Sequence, residues 1–154
     1  MTAETRAKIE ALFPSYPAKR GALLPAIYLV QEEQGYVGPE QARELAELFE
    51  LEPVQVWEVL TFYNMFYTEP QGRHHVYFCT NLPCSLQGAG VAAQHLKRTL
   101  KIGFNETTPD GRFTLKEGEC FGACGDAPVV LVNNKRMCCA MTPERLDALL
   151  KELE

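Results

Sequence analysis

The sequence predicts a mixed protein of the α+β or α/β class, with an all-helical front half followed by an α/β domain. Apolar residues recur at helical spacing before residue 70, and a turn-rich break follows at 69–72. Beyond the break, strand-like runs alternate with helical ones to the end of the chain. We therefore predict two domains, residues 1–70 and residues 71–154.

The front half should contain four helices, over residues 3–13, 21–34, 40–49 and 53–67. Proline ends the first of them, and Gly35 should close the second with a left-handed residue. For the second helix we predict burial of Leu24, Ile27, Tyr28 and Val30. For the third we predict a buried stripe of Ala42, Leu45, Ala46 and Phe49.

The fourth predicted helix has almost no polar face, because nearly every position from Val54 to Tyr67 is apolar or aromatic. A helix of this kind is buried or covered by a partner. We interpret it as a core helix between the two halves that also helps to cover a subunit interface.

The second half has the predicted order β-α-β-β-β-α. Strands are expected at 74–78, 113–119, 129–132 and 136–138, and helices at 87–101 and 143–150. Asn133 and Asn134 should form a hairpin turn, and Thr142 should cap the last helix. The inward residues of the first of these helices should be Val91, Ala92, Leu96 and Leu100.

Four cysteines follow two of the predicted strands. Cys79 and Cys84 form a C-x4-C pair, and Cys120 and Cys124 form a C-x3-C pair. Loops at strand ends bring distant positions together, so four thiolates can converge on one iron–sulfur cluster or one zinc ion. The pairs flank a whole crossover helix rather than a short zinc-ribbon hairpin, which favours a [2Fe–2S] cluster and leaves zinc as the alternative.

The other candidate ligands fit less well. Cys138 and Cys139 are neighbours on or beyond a strand, so their side chains should point to opposite faces and not serve one cluster. A Rieske centre would need two histidines, and we interpret His74, His75 and His95 as solvent-exposed residues. No nucleophile–base pair, phosphate loop or dinucleotide fingerprint is present.

Charge and hydropathy argue against nucleic-acid-binding, membrane-spanning and exported classes of protein. The net charge is −5, and residues 1–70 carry 5 basic and 11 acidic side chains, which argues against nucleic acid as a partner. No apolar run is long enough to span a membrane, and the N-terminus does not resemble a signal peptide. Six cysteines in an unexported protein favour metal or redox chemistry over disulfides.

At the cysteine motifs the chain resembles a known family. CTNLPC at 79–84 and ECFGACGDAPVV at 119–130 resemble the small [2Fe–2S] subunit of respiratory NADH:quinone oxidoreductase, complex I. WEVLTFYNMF at 57–66, FNETTPDGRF at 104–113 and the TPE at 142–144 extend the resemblance over essentially the whole chain. It implies an N-terminal helical bundle followed by a thioredoxin-like [2Fe–2S] ferredoxin domain.

The resemblance also implies a role and a partner. The cluster ligands would be Cys79, Cys84, Cys120 and Cys124, with Cys138 and Cys139 outside the ligand pattern. The cluster would exchange one electron with the FMN of a flavoprotein subunit that also holds the NADH site and a [4Fe–4S] cluster. The resemblance further implies that the protein lies in the bacterial cytoplasm, at the periphery of the inner membrane, as part of the complex. An equivalent diaphorase subunit of an NAD-linked hydrogenase or formate dehydrogenase, and a free thioredoxin-like ferredoxin, are the alternatives.

Overall fold

The computed structural model describes residues 1–153. Its α-helices are α1 (Ala3–Glu10), α2 (Leu23–Gln34), α3 (Pro39–Phe49), α4 (Pro53–Phe62), α5 (Leu82–Leu86), α6 (Ala89–Leu100) and α7 (Pro143–Glu152). Its strands are β1 (His74–Cys79), β2 (Glu106–Thr107), β3 (Phe113–Gly118), β4 (Val130–Val132) and β5 (Arg136–Cys138). None of the helices in this part of the chain has the length and apolar character needed to cross a bilayer.

The chain forms two compact units, Met1–Pro70 and Gln71–Glu154. The first contains α1 to α4, so the four predicted helices are present, although the first ends at Glu10. Gly35 closes α2 in the left-handed conformation (φ 82°), as predicted, and donates its N–H to the Gln31 carbonyl over 2.7 Å. The predicted stripe of α3 is buried. Tyr28, by contrast, is 42% exposed, and the prediction that it is buried is wrong.

The fourth helix is shorter than predicted, because it ends at Phe62 rather than at Tyr67. The amide side chain of Gln31 forms hydrogen bonds with the backbone of the segment that follows α4. Its Nε2 donates to the Met65 carbonyl over 3.0 Å, and its Oε1 accepts from the Tyr67 N–H over 2.8 Å. These bonds satisfy backbone groups that a continuing helix would have paired within itself.

The second unit is built on a five-stranded sheet with the order β2-β3-β1-β4-β5. β1 and β3 are parallel, with His74 opposite Phe113 and Cys79 opposite Gly118, and the other pairs are antiparallel. The parallel pair requires a crossover, which α6 provides. Because both strands run the same way, the two cysteine loops that follow them leave the sheet at one edge.

The core of this unit joins the sheet to α6 and α7. Val76, Phe78, Leu96 and Leu146 are fully buried within it. Two elements were not predicted, the short strand β2 and the five-residue helix α5. On α6, Ala92 and Leu96 are buried as predicted, but the prediction that Val91 is buried is wrong: it is 66% exposed, because it lies on the side of the helix opposite the buried Ala89 and Ala93.

Local signals at the end of the chain are confirmed. Asn133 and Asn134 both have φ of 53° and lie in the three-residue connection 133–135 between β4 and β5, so the predicted hairpin turn is present and contains two left-handed positions. Thr142 caps α7, and its hydroxyl accepts a hydrogen bond from the Arg145 N–H.

His75 should make the stability of the chain depend on pH. Burial lowers the pKa of His75 to about 4, and the nearby Lys116 also acts to lower it. Between about pH 4 and pH 6.5 the unfolded chain therefore binds a proton at this position that the folded chain does not bind. The free energy of unfolding should fall as the pH falls through this window.

The measurement is urea unfolding at pH 7.5 and pH 5.5, for the wild type and for His75→Gln. Between these pH values, we expect the free energy of unfolding of the wild type to fall by about 1 kcal/mol more than that of the variant. The difference is no larger because partial exposure of the His75 ring reduces the effect of its pKa shift. Equal losses in the two proteins would contradict the assignment of this titration to His75.

Candidate functional site

The first cysteine pair joins the end of a strand to a short helix. Cys79 is the last residue of β1, and Cys84 lies in α5; both side chains are buried. The turn between them is held by Asn81, whose Oδ1 accepts from the Leu82 N–H over 2.9 Å. The Ser85 hydroxyl donates to the Thr80 carbonyl over 2.9 Å. These bonds hold Cys84 against the sheet, on the buried side of α5.

The second pair lies in the loop that follows β3. Cys120 and Cys124 are both exposed, and a 3-10 turn begins at Cys124. Gly122 has φ of 75°, a conformation that favours glycine, and donates its N–H to Cys120 Sγ over 3.4 Å. A backbone N–H directed at a cysteine sulfur is one of the contacts that adjust the potential of an iron–sulfur cluster.

The two pairs converge at one edge of the sheet. Cys79 Sγ lies 3.7 Å from the Glu119 carbonyl, next to the second loop. Burial raises the pKa of Cys84 to about 11, and a hydrogen bond with the Cys79 thiol and the proximity of Cys124 act in the same direction. Partial desolvation and the Cys120 thiol raise the pKa of Cys124, with a further contribution from Cys79. Neighbouring thiols thus disfavour the ionisation of Cys84 and of Cys124, which is the situation that a bound cation relieves.

The donor set fits a two-iron cluster. The four thiols are arranged as two pairs, Cys79 with Cys84 and Cys120 with Cys124, and the pairs interact with each other. A [2Fe–2S] cluster takes four thiolates, two on each iron.

A close contact between Gly118 and Phe121 shapes the second loop. A Cβ at Gly118 would fall on the Phe121 ring, with Cε1 at 2.8 Å and Cε2 at 3.1 Å. Phe121 is half-buried and packs against the core of the second unit. The tip of the Phe121 ring therefore lies against the end of β3, and Phe121 directly follows Cys120 in the chain.

Gly118→Ala should displace this ring and change the environment of the cysteine loop. We expect an altered visible circular dichroism spectrum and faster loss of iron to a chelator. Gly125→Ala is the matched control, because a Cβ there meets nothing within 4 Å. A Gly118→Ala protein with the wild-type spectrum and wild-type iron retention would contradict the proposed role of the contact.

The remaining cysteines lie elsewhere in the second unit. Cys138 ends β5 and packs partly against the core, and burial raises its pKa. Cys138 and Cys139 line a separate cavity of about 300 Å³ with Arg136, Arg145 and Glu152. That they are not cluster ligands stays a prediction.

The histidines are less exposed than the sequence suggested. All three are half-buried rather than solvent-exposed, so that interpretation is wrong. His74 packs beside the ring of Phe113, at the opposite end of β1 from Cys79, and burial lowers its pKa. His95 Nε2 lies 2.7 Å from the Asp147 carboxylate, which pairs α6 with α7. Periodicity could not reveal this pairing because it depends on how the two helices pack.

Four thiols at one edge of a mixed sheet, next to a parallel strand pair, are compatible with a small iron–sulfur protein. The chain belongs to the thioredoxin-like [2Fe-2S] ferredoxin family, whose model matches residues 9–154. Family membership assigns it a [2Fe–2S] cluster as its cofactor.

Curated relatives extend over almost the whole chain. An NADH-quinone oxidoreductase subunit of Rhizobium meliloti is 43% identical over 146 residues, covering 95% of this chain and 86% of the relative. NADH-quinone oxidoreductase subunit 2 of Thermus thermophilus is 39% identical over 147 residues, covering 94% of this chain and 81% of the relative.

Among solved structures, the NAD+-reducing [NiFe]-hydrogenase in the H2-reduced state shares the fold. The TM-score is 0.74 at 24% identity, over 85% of this chain and 22% of that chain.

Proposed function

We propose that this chain is the electron-transfer subunit of an NADH:quinone oxidoreductase and exchanges one electron with the FMN of a partner flavoprotein. The observation that carries the proposal is the convergence of two cysteine pairs at one sheet edge, in a chain whose curated relatives are subunits of that enzyme. These relatives favour this function over a diaphorase subunit of a hydrogenase, since the hydrogenase likeness concerns the fold alone.

In this proposal Cys79, Cys84, Cys120 and Cys124 are the four ligands. The bound cluster supplies a centre that takes up and releases one electron at a time. Cys79 and Cys84 offer buried sulfurs, which keep water from that side of the site. Cys120 and Cys124 offer exposed sulfurs, and the Gly122 N–H donates to one of them.

The domain organisation is part of the same proposal. Residues 1–70 would form a helical bundle and residues 71–154 the redox domain, a division supported by the two compact units. The protein would work in the bacterial cytoplasm, at the periphery of the inner membrane, and would bind no nucleic acid. The acidic balance of the first unit supports the last point.

The chain alone should not oxidise NADH. NADH delivers a hydride, which carries two electrons, and the sequence has no dinucleotide fingerprint. A flavin on another chain would accept the hydride and divide the electron pair. We infer that this flavin belongs to a subunit that also holds the NADH site and a [4Fe–4S] cluster.

The test follows the visible spectrum of the purified, oxidised holoprotein. Dithionite should bleach it at once, whereas excess NADH should leave it oxidised for minutes. Addition of the FMN-bearing subunit should then allow NADH to bleach it. Rapid bleaching by NADH in a sample free of flavin would contradict the proposal, as would failure of the flavoprotein to connect NADH to the cluster.

A further inference from the structure

Sulfur-bearing side chains are concentrated in one short segment of the second unit. The chain contains six cysteines and four methionines, and four of these ten residues lie within residues 137–141, whose sequence is MCCAM. Neither Cys138 nor Cys139 belongs to the two pairs proposed as ligands of the iron–sulfur cluster. We call residues 137–141 the sulfur-rich segment.

The four sulfur-bearing residues line a single cavity of about 300 Å³, which residues of α7 complete. Cys138 and Cys139 are free, half-buried thiols. Met137 is 43% exposed, whereas Met141 is buried in the core of the unit. The sulfur-rich segment therefore borders both solvent and core, and a small ion can reach the cavity from outside.

The backbone leaves the strand conformation within this segment. β5 ends at Cys138, and Ala140 has φ of 51°, in the left-handed region that residues other than glycine seldom adopt. Side chains alternate between opposite faces only while a strand continues. The alternation predicted from the sequence thus ends at Cys138, and the adjacent Cys139 lines the same cavity.

Hydrogen bonds from the backbone and from α7 fix this turn. The Ala140 N–H donates to the Asp126 carbonyl over 2.7 Å, and the Met141 N–H donates to the Pro128 carbonyl over 2.9 Å. The guanidinium of Arg145 donates to the Ala140 carbonyl over 3.2 Å. Because the left-handed turn is already held, binding of an ion requires little further ordering of the backbone.

The donors of this cavity suit a soft cation. Thiolate and thioether sulfurs select Cu(I), whereas a structural zinc site usually takes four protein ligands. The Glu152 carboxylate, which also lines the cavity, is already paired with the Arg136 guanidinium. Burial raises the pKa of Cys138, and Arg136 opposes this shift. A cation bound to the thiolate would offset the cost of ionising it.

We propose that Cys138 and Cys139 bind one Cu(I) ion through their two thiolates. The thioethers of Met137 and Met141 line the same cavity and make its surroundings soft. One Cu(I) ion and two thiols give a dithiolate complex of charge −1 and release two protons to solvent. No electron is transferred, so the step needs neither an oxidant nor a reductant. The site is separate from the proposed cluster ligands and does not depend on the proposed function.

The probe is Cu(I) alone, added without oxygen to the purified holoprotein in competition with a coloured Cu(I) chelator. Cys138→Ser and Cys139→Ser each remove one proposed ligand. The control is Met65→Leu, which removes a sulfur from the first unit instead. Iron, sulfide and the visible spectrum report whether the iron–sulfur cluster is intact, and X-ray absorption at the copper edge identifies the donor atoms.

We expect the wild type and Met65→Leu to bind one Cu(I) per chain through sulfur and to keep their iron. Each serine variant should keep its iron–sulfur cluster and bind Cu(I) at least about 100-fold more weakly, since loss of a ligand costs more than loss of an outer contact. Wild-type Kd in both serine variants would overturn the site. So would copper that binds only by displacing iron from the cluster.

A second measurement needs no substitution. Iodoacetamide should label Cys139 in the native holoprotein, as read by mass spectrometry, because this thiol is half-exposed. One equivalent of Cu(I) should protect it, whereas one equivalent of Zn²⁺ should not. Labelling that Cu(I) leaves unchanged would contradict the site, and equal protection by zinc would overturn the choice of metal.

Discussion

Cys84→Ala should abolish the cluster and leave a colourless protein. Cys84 is 2% exposed and its sulfur interacts with those of Cys79 and Cys124, so alanine there would leave the site with three sulfurs. We expect iron to fall from about two atoms per chain to near zero, with loss of the visible absorption. Alanine at Cys79, Cys120 or Cys124 should have the same effect.

Cys139→Ala is the matched control, because it removes a half-exposed thiol that lines the separate cavity. It should keep the iron, the sulfide and the EPR signal of the reduced protein, and Cys138→Ala should do the same. Loss of the cluster in Cys139→Ala with retention in Cys120→Ala would contradict the ligand assignment. Zinc in place of iron and sulfide in the native protein would contradict the cluster itself.

Leu96→Ala should lower the free energy of unfolding by about 2–5 kcal/mol. Leu96 is 0% exposed in α6, within the core that joins α6 and α7 to the sheet. Alanine removes three carbon atoms from a packed interior, and the cost combines reduced burial with the cavity that remains. The removed atoms belong to the core that holds the crossover helix onto the sheet.

The control for this prediction is Leu86→Ala, the same substitution at a side chain that is 77% exposed. It should change the free energy of unfolding by no more than about 0.5 kcal/mol. Urea unfolding of the two variants, followed by far-ultraviolet circular dichroism, provides the comparison. Equal destabilisation by the two substitutions would show that α5 is packed rather than exposed.

Local features of the fold were predictable because neighbouring residues determine them. Gly35, the Asn133–Asn134 turn and the Thr142 cap each act within a few positions of the backbone they shape. The strands before the two cysteine pairs were predictable for the same reason. Convergence of the pairs followed from strand order, because loops after two parallel strands must leave the same edge.

Features that depend on distant contacts were mispredicted or missed. The segment that follows α4 is hydrogen-bonded by Gln31, which lies more than 30 positions earlier in the chain. Tyr28 and Val91 are exposed because the neighbouring elements cover other sides of α2 and α6. The contact of Gly118 with Phe121 is close in sequence, but it depends on the direction that the loop takes after β3.

The sequence by itself determined the class of the protein and its division into a helical first half and an α/β second half. It also indicated the four cysteines proposed as ligands. These follow from spacing, residue chemistry and local backbone preference. Only the tertiary structure decided which sulfurs are buried and which apolar side chains remain uncovered, because burial depends on all neighbouring elements. α5 shows both levels: the C-x4-C spacing marked Cys84, and the packing of the helix turned Cys84 inward and its two leucines outward.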